Sequence, residues 1–196
     1  MKCRRPLAPR ARRIALILMD VDGVLTDGGI SFIEGTAEAK TYDAKDGVGL
    51  SIARRVGLRT GLISGRSGAA VSRRAEELGM HEVHLRVRDK LAAYERILRR
   101  QKLADPQVCY IGDDLTDLQI LGRVGMPVAV ADARPEVLRR ALFVTRAAGG
   151  RGAVREVIDE ILKAQGRWRE VLEWFDPSSS SGRRRGRTAR PADALR

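Results

Sequence analysis

Short apolar runs alternate with helical segments along the chain from residue 14 onward, and this order limits the folds open to it. Strands are predicted at Ala15–Met19, Thr60–Ile63, Val83–Leu85, Val108–Ile111, Val128–Val130 and Phe143–Thr145. Helices are predicted at Gly47–Arg55, Ala69–Leu78, Lys90–Gln101, Leu115–Arg123, Glu136–Ala141 and Ala153–Gln165, with Asp46 and Asp114 as N-caps. Strand–helix alternation of this kind predicts an α/β fold with a doubly wound parallel sheet.

The segment from residue 29 to residue 43 breaks the alternation. Two short strand-like runs, Ile30–Ile33 and Glu38–Tyr42, flank a turn at residues 34–36. This pattern predicts a β-hairpin inserted just after the first strand. Near the other end of the chain, Trp168–Phe175 has its apolar side chains at helical spacing, which predicts a helix packed on the body or on another subunit.

Most of the net charge of +12 lies at the two ends of the chain. Residues 1–13 carry six Lys and Arg residues and no acid, and residues 176–196 carry six Arg and two Asp residues. The C-terminal stretch is rich in Ser and poor in apolar residues, which is typical of disorder. We therefore expect a basic tail (1–13), a single domain (14–175) and a disordered Arg/Ser-rich tail (176–196). Basic tails could attract nucleic acid, but solvated tails explain the charge without a partner, and we expect none.

Cysteine content and hydropathy indicate a cytoplasmic protein. Cys3 lies in the basic tail and Cys109 in a predicted strand, so a disulfide framework is not expected. No apolar run approaches the roughly 18 residues that a membrane span requires. The apolar run Ile14–Met19 is also too short for the core of a secretory signal. We expect no membrane partner.

Polar residues follow four of the predicted strands. They are Asp20 and Asp22 after the first strand, Ser64, Gly65 and Arg66 after the second, Lys90 after the third, and Asp113, Asp114 and Asp117 after the fourth. Because ligands bind at the carboxyl ends of the strands in an open parallel sheet, these side chains are expected to meet in one crevice.

Several carboxylates in one crevice repel each other unless a cation separates them. Carboxylate and carbonyl oxygens suit Mg²⁺, which usually binds through one or two carboxylates and a substrate phosphate. The two histidines, His81 and His84, have no partner at the spacing of a zinc site. The sequence therefore predicts a magnesium site held by Asp20 and Asp113.

These residue types favour phosphoryl transfer. A carboxylate can attack phosphorus to form an aspartyl-phosphate, and Asp20 at the strand tip is the candidate nucleophile. Asp22 is placed to protonate the leaving alkoxide and then to activate water. Ser64 and the adjacent backbone could bind phosphoryl oxygens, and Lys90 could offset their charge. Each feature alone has a structural explanation as a cap, a turn or an exposed lysine, but all four at predicted element ends favour catalysis.

Four sequence stretches resemble the motifs of the haloacid dehalogenase-type phosphatases. These stretches are "DVDGVLTDG", "LISGR", Lys90 and "IGDDLTD", and the resemblance extends from Ile14 to about Gln165. It implies a Rossmann-like fold with Asp20 as nucleophile and Asp22 as acid and base. It also implies Mg²⁺ bound by Asp20, Asp113 and the backbone carbonyl of Asp22. Asp114 and Asp117 would orient metal-bound waters or Lys90.

The gaps between these motifs hold no separate cap domain. The hairpin at 29–43, the "KDGVGL" after it and "GGRGAVREV" at Gly149–Val157 resemble the capless branch of the family. That branch includes phosphatases of 3-deoxy-D-manno-octulosonate 8-phosphate, which serve lipopolysaccharide precursor synthesis. The resemblance implies this substrate and a homotetramer in which residues 149–152 lie over a site.

A sugar acid phosphate needs cations beyond Lys90. Arg66 is expected to reach the crevice, and Arg74 and Arg151 could meet the substrate carboxylate, Arg74 from a neighbouring subunit. Arg74 could equally be a solvated helix residue and Arg151 a helix-entry contact. Arg66 favours the octulosonate substrate, because relatives acting on nine-carbon sialic-type acid 9-phosphates tend to carry Glu there. Glu77 stands where those relatives tend to carry a basic residue.

Two alternatives remain open from the sequence. One is a phosphatase for another sugar acid phosphate, such as a sialic-type 9-phosphate. The other is a catalytically idle phosphatase fold that binds a partner, although every catalytic position is filled. The segment before Lys90, "RVRD", is more basic than the resemblance suggests and leaves the substrate detail open.

Overall fold

The computed structural model describes residues 7–33 and 38–176, so Cys3, the turn at 34–36 and the C-terminal tail from residue 177 lie outside the described residues. The strands are β1 (Leu16–Met19), β2 (Arg59–Ile63), β3 (Glu82–His84), β4 (Val108–Gly112), β5 (Met126–Ala129) and β6 (Phe143–Val144). The helices are α1 (Leu7–Ala11), α2 (Ala44–Arg55), α3 (Ala69–Glu77), α4 (Lys90–Gln101), α5 (Leu118–Leu121), α6 (Pro135–Arg140), α7 (Ala153–Ala164) and α8 (Trp168–Phe175). Short 3-10 turns lie at Asp105–Gln107 and Leu115–Asp117.

All six strands pair in parallel, in the order β3-β2-β1-β4-β5-β6. The central strand β1 is buried along its whole length, as expected for an apolar run covered on both faces. Its last residue, Met19, is paired with Leu62 of β2 on one side and Ile111 of β4 on the other. The chain builds outward in one direction through β3 and then in the other from β4, so the switch point lies at the end of β1. The predicted α/β doubly wound sheet is confirmed, and ligands bind at such a point.

Two groups of helices pack around this sheet. Helix α7 packs against α1, α2 and α8, while α5 packs against α4 and α6. The short helix α1 lies within the segment predicted as a tail. Its Ala11 is buried, and Arg10 Nη1 donates a hydrogen bond of 2.8 Å to the carbonyl of Gly125. Helix α1 is therefore packed on the body, whereas the sequence analysis placed residues 7–11 in a basic tail that ends at residue 13.

The C-terminal helix α8 packs on the body through one face. Val171 is buried, and the Arg55 guanidinium lies 4.0 Å from the centroid of the Trp174 ring. Leu172 and Phe175 remain exposed. None of the helices within residues 7–33 and 38–176 has the length and apolarity that crossing a membrane requires.

The predicted hairpin is reduced to a single antiparallel bridge within the described residues. Ser31 and Ala39 form this bridge, in which Ala39 N donates to Ser31 O at 2.9 Å. Ile30, Phe32 and Ile33 are exposed, Phe32 most of all.

Of the two predicted N-caps, Asp114 is confirmed and Asp46 is wrong. Asp114 accepts a hydrogen bond of 2.6 Å from Leu115 N at the start of a 3-10 turn. Helix α2 begins earlier than predicted, and its cap is Asp43. Asp46 is buried and accepts hydrogen bonds from Arg155 N and Gly152 N, at 2.7 and 3.3 Å. It therefore satisfies the free amides at the start of α7 instead of its own helix.

Candidate active site

A cleft of about 810 Å³ opens at the carboxyl ends of the central strands. Its lining includes most of the predicted site residues: Asp20, Asp22, Ser64, Gly65, Arg66, Lys90, Asp113 and Asp114. The other lining residues are Gly23, Gly28, Val87, Arg88, Asp89, Leu115, Thr116 and Gln119. The remaining predicted residues are Asp117, which lies beneath the cleft floor, and Arg74 and Arg151, which lie elsewhere.

Lys90 connects two buried carboxylates under the cleft. Its Nζ lies 2.6 Å from Asp20 Oδ2 and 2.8 Å from Asp117 Oδ1. Burial by itself would lower the pKa of Lys90, but the two aspartates outweigh it and the pKa is raised. The lysine therefore stays charged. It occupies this position because α4 begins at Lys90, where Asp89 caps the helix by accepting from Ala92 N at 2.9 Å.

Asp117 is fully buried and already supplied with donors. Oδ1 accepts from Tyr110 OH at 2.7 Å as well as from Lys90, and Oδ2 accepts from the backbone N of Asp113 at 3.1 Å. Gly112 leaves the room for it, since a Cβ there would lie 2.6 Å from Asp117 Oδ2. Asp117 is thus occupied in holding Lys90 and the backbone at the end of β4.

The carboxylates of Asp20 and Asp113 lie close together at the cleft, and Lys90 is the cation that contacts Asp20. Carboxylate oxygens of Asp20, Asp113 and Asp117 lie within 4.8 Å of one another. Burial and the Asp117 carboxylate raise the pKa of Asp20 to about 6. Burial, then Asp117 and Asp20, raises the pKa of Asp113 to about 7. Asp113 Oδ1 is buried without a hydrogen-bond partner. An orphaned oxygen in an all-oxygen acidic cluster fits a hard divalent cation such as Mg²⁺.

The turn after β1 brings Asp20 and Asp113 together. Val21 N donates to Asp20 Oδ1 at 2.7 Å, which fixes the carboxylate. Gly23 has φ of +83°, and a Cβ there would lie 2.1 Å from Asp113 Oδ2. Gly149 covers the back of this turn, where a Cβ would lie 1.8 Å from the Gly23 carbonyl oxygen. Both glycines are required by close packing of backbone and carboxylate.

Ser64 and the loop before Lys90 are joined by backbone hydrogen bonds. Ser64 N donates to His84 O at 2.9 Å, and Val87 N donates to Ser64 O at 3.0 Å. The buried Ser64 Oγ accepts from Arg66 N at 3.2 Å. These bonds hold the Ser64 hydroxyl and Lys90 on adjacent loops of the same cleft.

Lys40 and Glu38 lie near Asp22, and neither was predicted as a site residue. Lys40 forms ion pairs with Asp22 and with Glu38 Oε1, the latter at 2.6 Å, and only 1% of its side chain is exposed. Arg66 Nη2 lies 2.8 Å from Glu38 Oε2, and its Nε lies 3.9 Å from Asp22 Oδ2. Asp22 is thus held by a buried lysine of the hairpin segment. The one signal was the alternation of Glu38 and Lys40, which places both on one side of an extended chain.

Arg74 and Arg151 do not line this cleft in the single chain. Arg74 Nη1 pairs with Glu77 Oε2 at 3.0 Å, and Arg74 borders a separate cleft of about 450 Å³ beside α8. Its Nε is buried without a hydrogen-bond partner. Arg151 is exposed and lies 3.4 Å from Asp27 Oδ2. Their predicted contact with substrate therefore depends on a second subunit and stays a prediction.

Comparison with known proteins gives consistent results. The family model of haloacid dehalogenase-like hydrolases matches residues 77–158. The 3-deoxy-D-manno-octulosonate 8-phosphate phosphatase of Salmonella typhimurium is 40% identical over 173 residues, which cover 86% of this chain and 92% of that protein. The enzyme of the same name from Escherichia coli strain K12 is 42% identical over 162 residues, which cover 83% of this chain and 86% of that protein.

Solved structures agree with the sequence relatives. The 3-deoxy-D-manno-octulosonate 8-phosphate phosphatase from Moraxella catarrhalis, solved in complex with a magnesium ion, a phosphate ion and KDO, superposes with a TM-score of 0.84. It is 36% identical and covers 86% of this chain and 97% of its own. The Yersinia pestis protein of that name has a TM-score of 0.81 at 41% identity, covering 83% and 88%. The chain therefore belongs to the haloacid dehalogenase-like hydrolases and, within them, to the 3-deoxy-D-manno-octulosonate 8-phosphate phosphatase family.

Proposed function

We propose that this chain is a Mg²⁺-dependent phosphatase that hydrolyses 3-deoxy-D-manno-octulosonate 8-phosphate to the free sugar acid and phosphate. The reaction would serve lipopolysaccharide precursor synthesis in the cytoplasm. One observation carries the proposal: Lys90 bridges Asp20 and Asp117 next to an orphaned Asp113 oxygen, at the switch point of the sheet. The family relatives support the choice of substrate.

The proposed reaction starts with attack by Asp20. Its carboxylate is oriented by Val21 N and Lys90, so one oxygen can form a bond to phosphorus while the ester oxygen–phosphorus bond breaks. Asp22 donates a proton to the departing alkoxide. A water then attacks the aspartyl-phosphate with Asp22 accepting its proton, and this step releases phosphate and regenerates Asp20.

Other residues bind the phosphoryl group and its charge. Asp20, Asp113 and the Asp22 carbonyl would hold Mg²⁺, which would screen the carboxylates from each other and from the phosphoryl oxygens. The Ser64 hydroxyl and the Gly65 backbone would donate to phosphoryl oxygens, with Lys90 beside them. In the proposed scheme Asp117 keeps Lys90 in place, and Asp114 orients water around the cation.

We also propose that the enzyme is a homotetramer that completes its sites across subunits. Support comes from the exposed apolar side chains of the hairpin segment, of which Phe32 is 78% exposed. It also comes from the buried, unpartnered Nε of Arg74 outside the cleft. Sedimentation of the wild type and of Phe32→Glu tests this. A tetramer that dissociates in the variant is expected, and a wild-type monomer would refute the assembly.

A substrate comparison tests the function. Phosphate release is measured from 3-deoxy-D-manno-octulosonate 8-phosphate and from a sialic-type 9-phosphate, each with Mg²⁺ and with a chelator. We expect Mg²⁺-dependent turnover with the octulosonate preferred. A tenfold or greater preference for the sialic-type ester would overturn the substrate, and no turnover of either would favour an idle binding protein.

A further inference from the structure

We propose that Lys40 is a positioning residue for the acid and base of the reaction: its ammonium group holds the Asp22 carboxylate in the orientation that proton transfer requires. The inference rests on the proposed function, since it deepens the role given there to Asp22. Lys40 belongs to the hairpin segment (29–43), to which the catalytic scheme assigns no part.

Asp22 is held differently from Asp20, the other acid at the end of β1. The Asp20 carboxylate accepts from Val21 N at 2.7 Å and from Lys90 Nζ at 2.6 Å. Among the described residues, Lys40 Nζ is the one hydrogen-bond donor to the Asp22 carboxylate. The direction of the Asp22 side chain therefore depends on Lys40.

This contact leaves one oxygen of Asp22 available for proton transfer. Lys40 binds Oδ1, whereas Oδ2 lies 3.9 Å from Arg66 Nε, beyond hydrogen-bond distance. Asp22 lines the cleft, and 21% of its side chain is exposed there. Oδ2 is therefore the oxygen that gives a proton to the leaving group and then takes one from water.

Lys40 is itself fixed in place. Only 1% of its side chain is exposed, and its Nζ also lies 2.6 Å from Glu38 Oε1. Glu38 Oε2 in turn accepts from Arg66 Nη2 at 2.8 Å. Next to Lys40, Ala39 N donates to Ser31 O at 2.9 Å, which ties the backbone to the segment after β1. The ammonium group is thus an anchored point against which the acid is held.

The leaving group decides how much the position of Asp22 matters. A basic leaving group, such as an alkoxide or phenolate, needs a proton as the bond between phosphorus and the ester oxygen breaks. p-Nitrophenolate is a stable anion that departs without one. A displaced Asp22 should therefore slow the cleavage of esters with basic leaving groups and spare p-nitrophenyl phosphate, whereas damage to Asp20 or Lys90 would slow both.

The test compares two aryl esters that differ in the basicity of the leaving group. kcat/KM is measured for phenyl phosphate and p-nitrophenyl phosphate in the wild type, Lys40→Met and Lys40→Arg. This constant covers the steps up to departure of the leaving group, so later hydrolysis of the aspartyl-phosphate does not enter it. We expect Lys40→Met to lower the ratio of the phenyl value to the p-nitrophenyl value about 10- to 100-fold. Lys40→Arg should recover part of the ratio, because it keeps the charge.

A double-mutant cycle tests whether Lys40 acts through Asp22. Asp22→Asn should lower the same ratio at least as far as Lys40→Met, because an amide has no acidic proton to transfer. Adding Lys40→Met to Asp22→Asn should lower the ratio no further. A further fall as large as that in the single variant would overturn the assignment.

Lys163→Met is the matched control, since Lys163 pairs with Glu160 at 3.0 Å and does not line the cleft. We expect its ratio to equal that of the wild type. If Lys40→Met does not fold, because Glu38 loses its buried partner, Glu38→Gln/Lys40→Met removes both charges and should show the lowered ratio instead.

Three results would overturn the role of Lys40: an unchanged ratio in the folded variant, an equal loss on both esters, or the same fall in Lys163→Met. Failure of the proposed function gives a different result. A wild type that hydrolyses the aryl esters but not 3-deoxy-D-manno-octulosonate 8-phosphate would overturn the proposed substrate alone, and the ratio would still decide the role of Lys40.

Discussion

Lys90 Nζ lies between two buried carboxylates, 2.6 Å from Asp20 and 2.8 Å from Asp117. Replacement by methionine keeps the length of the side chain but removes this charge. We expect Lys90→Met to lower kcat by about 10²- to 10³-fold, because a preorganised positive charge at the phosphoryl site is lost. Steady-state kinetics with saturating Mg²⁺ measures this.

The same variant should also be less stable without metal. Breaking a buried ion pair from one side leaves an uncompensated charge, which destabilises a protein by about 3–5 kcal/mol. Denaturant unfolding in a chelator measures the loss, and Mg²⁺ should recover part of it. Lys163→Met is the control, since this lysine pairs with Glu160 on the surface of α7. Equal stability of the two variants would contradict the structural role of Lys90.

Asp20→Asn should abolish turnover while the fold is preserved. The amide keeps the shape of the side chain and the acceptor for Val21 N, but it cannot form an acyl phosphate. Circular dichroism should match the wild type, and phosphate release should fall to background at any Mg²⁺ concentration. Full activity in this variant would exclude Asp20 as the nucleophile.

Mg²⁺ affinity should weaken as the pH falls through about 7. Asp113 and Asp20 have raised pKa values of about 7 and 6, against an ordinary value of 3.8, and both must lose their protons to hold the cation. Isothermal titration with Mg²⁺ at several pH values should show this weakening together with proton release. An affinity that does not change between pH 8 and pH 6 would contradict the assignment of these ligands.

The metal-free protein should respond to pH in the opposite sense. A carboxyl whose pKa is higher in the folded state than in the unfolded state binds protons more tightly when folded, so these groups lower stability as pH rises from about 4 to about 7. The gain in melting temperature from Mg²⁺ should therefore grow over the same range. In Asp113→Asn, the fall in stability of the chelator-treated protein between pH 4 and pH 7 should be smaller than in the wild type. The increase in the Mg²⁺-dependent gain in melting temperature over the same pH range should also be smaller.

The sheet and its polar ends could be predicted because they follow from local patterns. Parallel strands covered on both faces are continuous apolar runs, and both β1 and β4 are such runs, buried along their whole length. Lys90 opens the helix that the sequence predicts after the third strand, and the observed helix begins at Lys90. Residues at strand ends converge by topology alone, so four separate motifs could be assigned to one crevice.

The missed features depend on contacts distant in sequence. Asp46 sits in the first turn of α2, where its position alone suggests a local cap, but its carboxylate faces the amides of α7, about a hundred residues later. Lys40 lies in a segment whose described residues form one antiparallel bridge, and the alternation of Glu38 and Lys40 does not by itself show that the Lys40 side chain turns inward to Asp22. The place of Arg74 relative to a substrate depends on another subunit, which a single chain cannot specify.

The contact between Gly149 and the turn after β1 leads to a further prediction. A Cβ on residue 149 would lie 1.8 Å from the Gly23 carbonyl oxygen, and both partners are backbone, so neither can move cheaply. Gly149→Ala should push the turn that carries Asp22 toward the cleft. We expect a loss of stability of about 1–3 kcal/mol, as for other overpacked sites, and a fall in kcat of at least about tenfold. Chemical denaturation and steady-state kinetics on the same preparation measure both effects.

Gly68→Ala provides the comparison for this change. Gly68 precedes α3 in an extended conformation, and a Cβ there meets nothing within 4 Å, so the same added methyl group should leave kcat unchanged. Any loss of stability should be confined to the N-cap preference, within about 1 kcal/mol. If Gly149→Ala behaved like Gly68→Ala in both measurements, the loop before α7 would not be what holds the turn of Asp22 in place. Normal stability with reduced kcat would instead mean that the loop adjusts and transmits the displacement to the reacting groups.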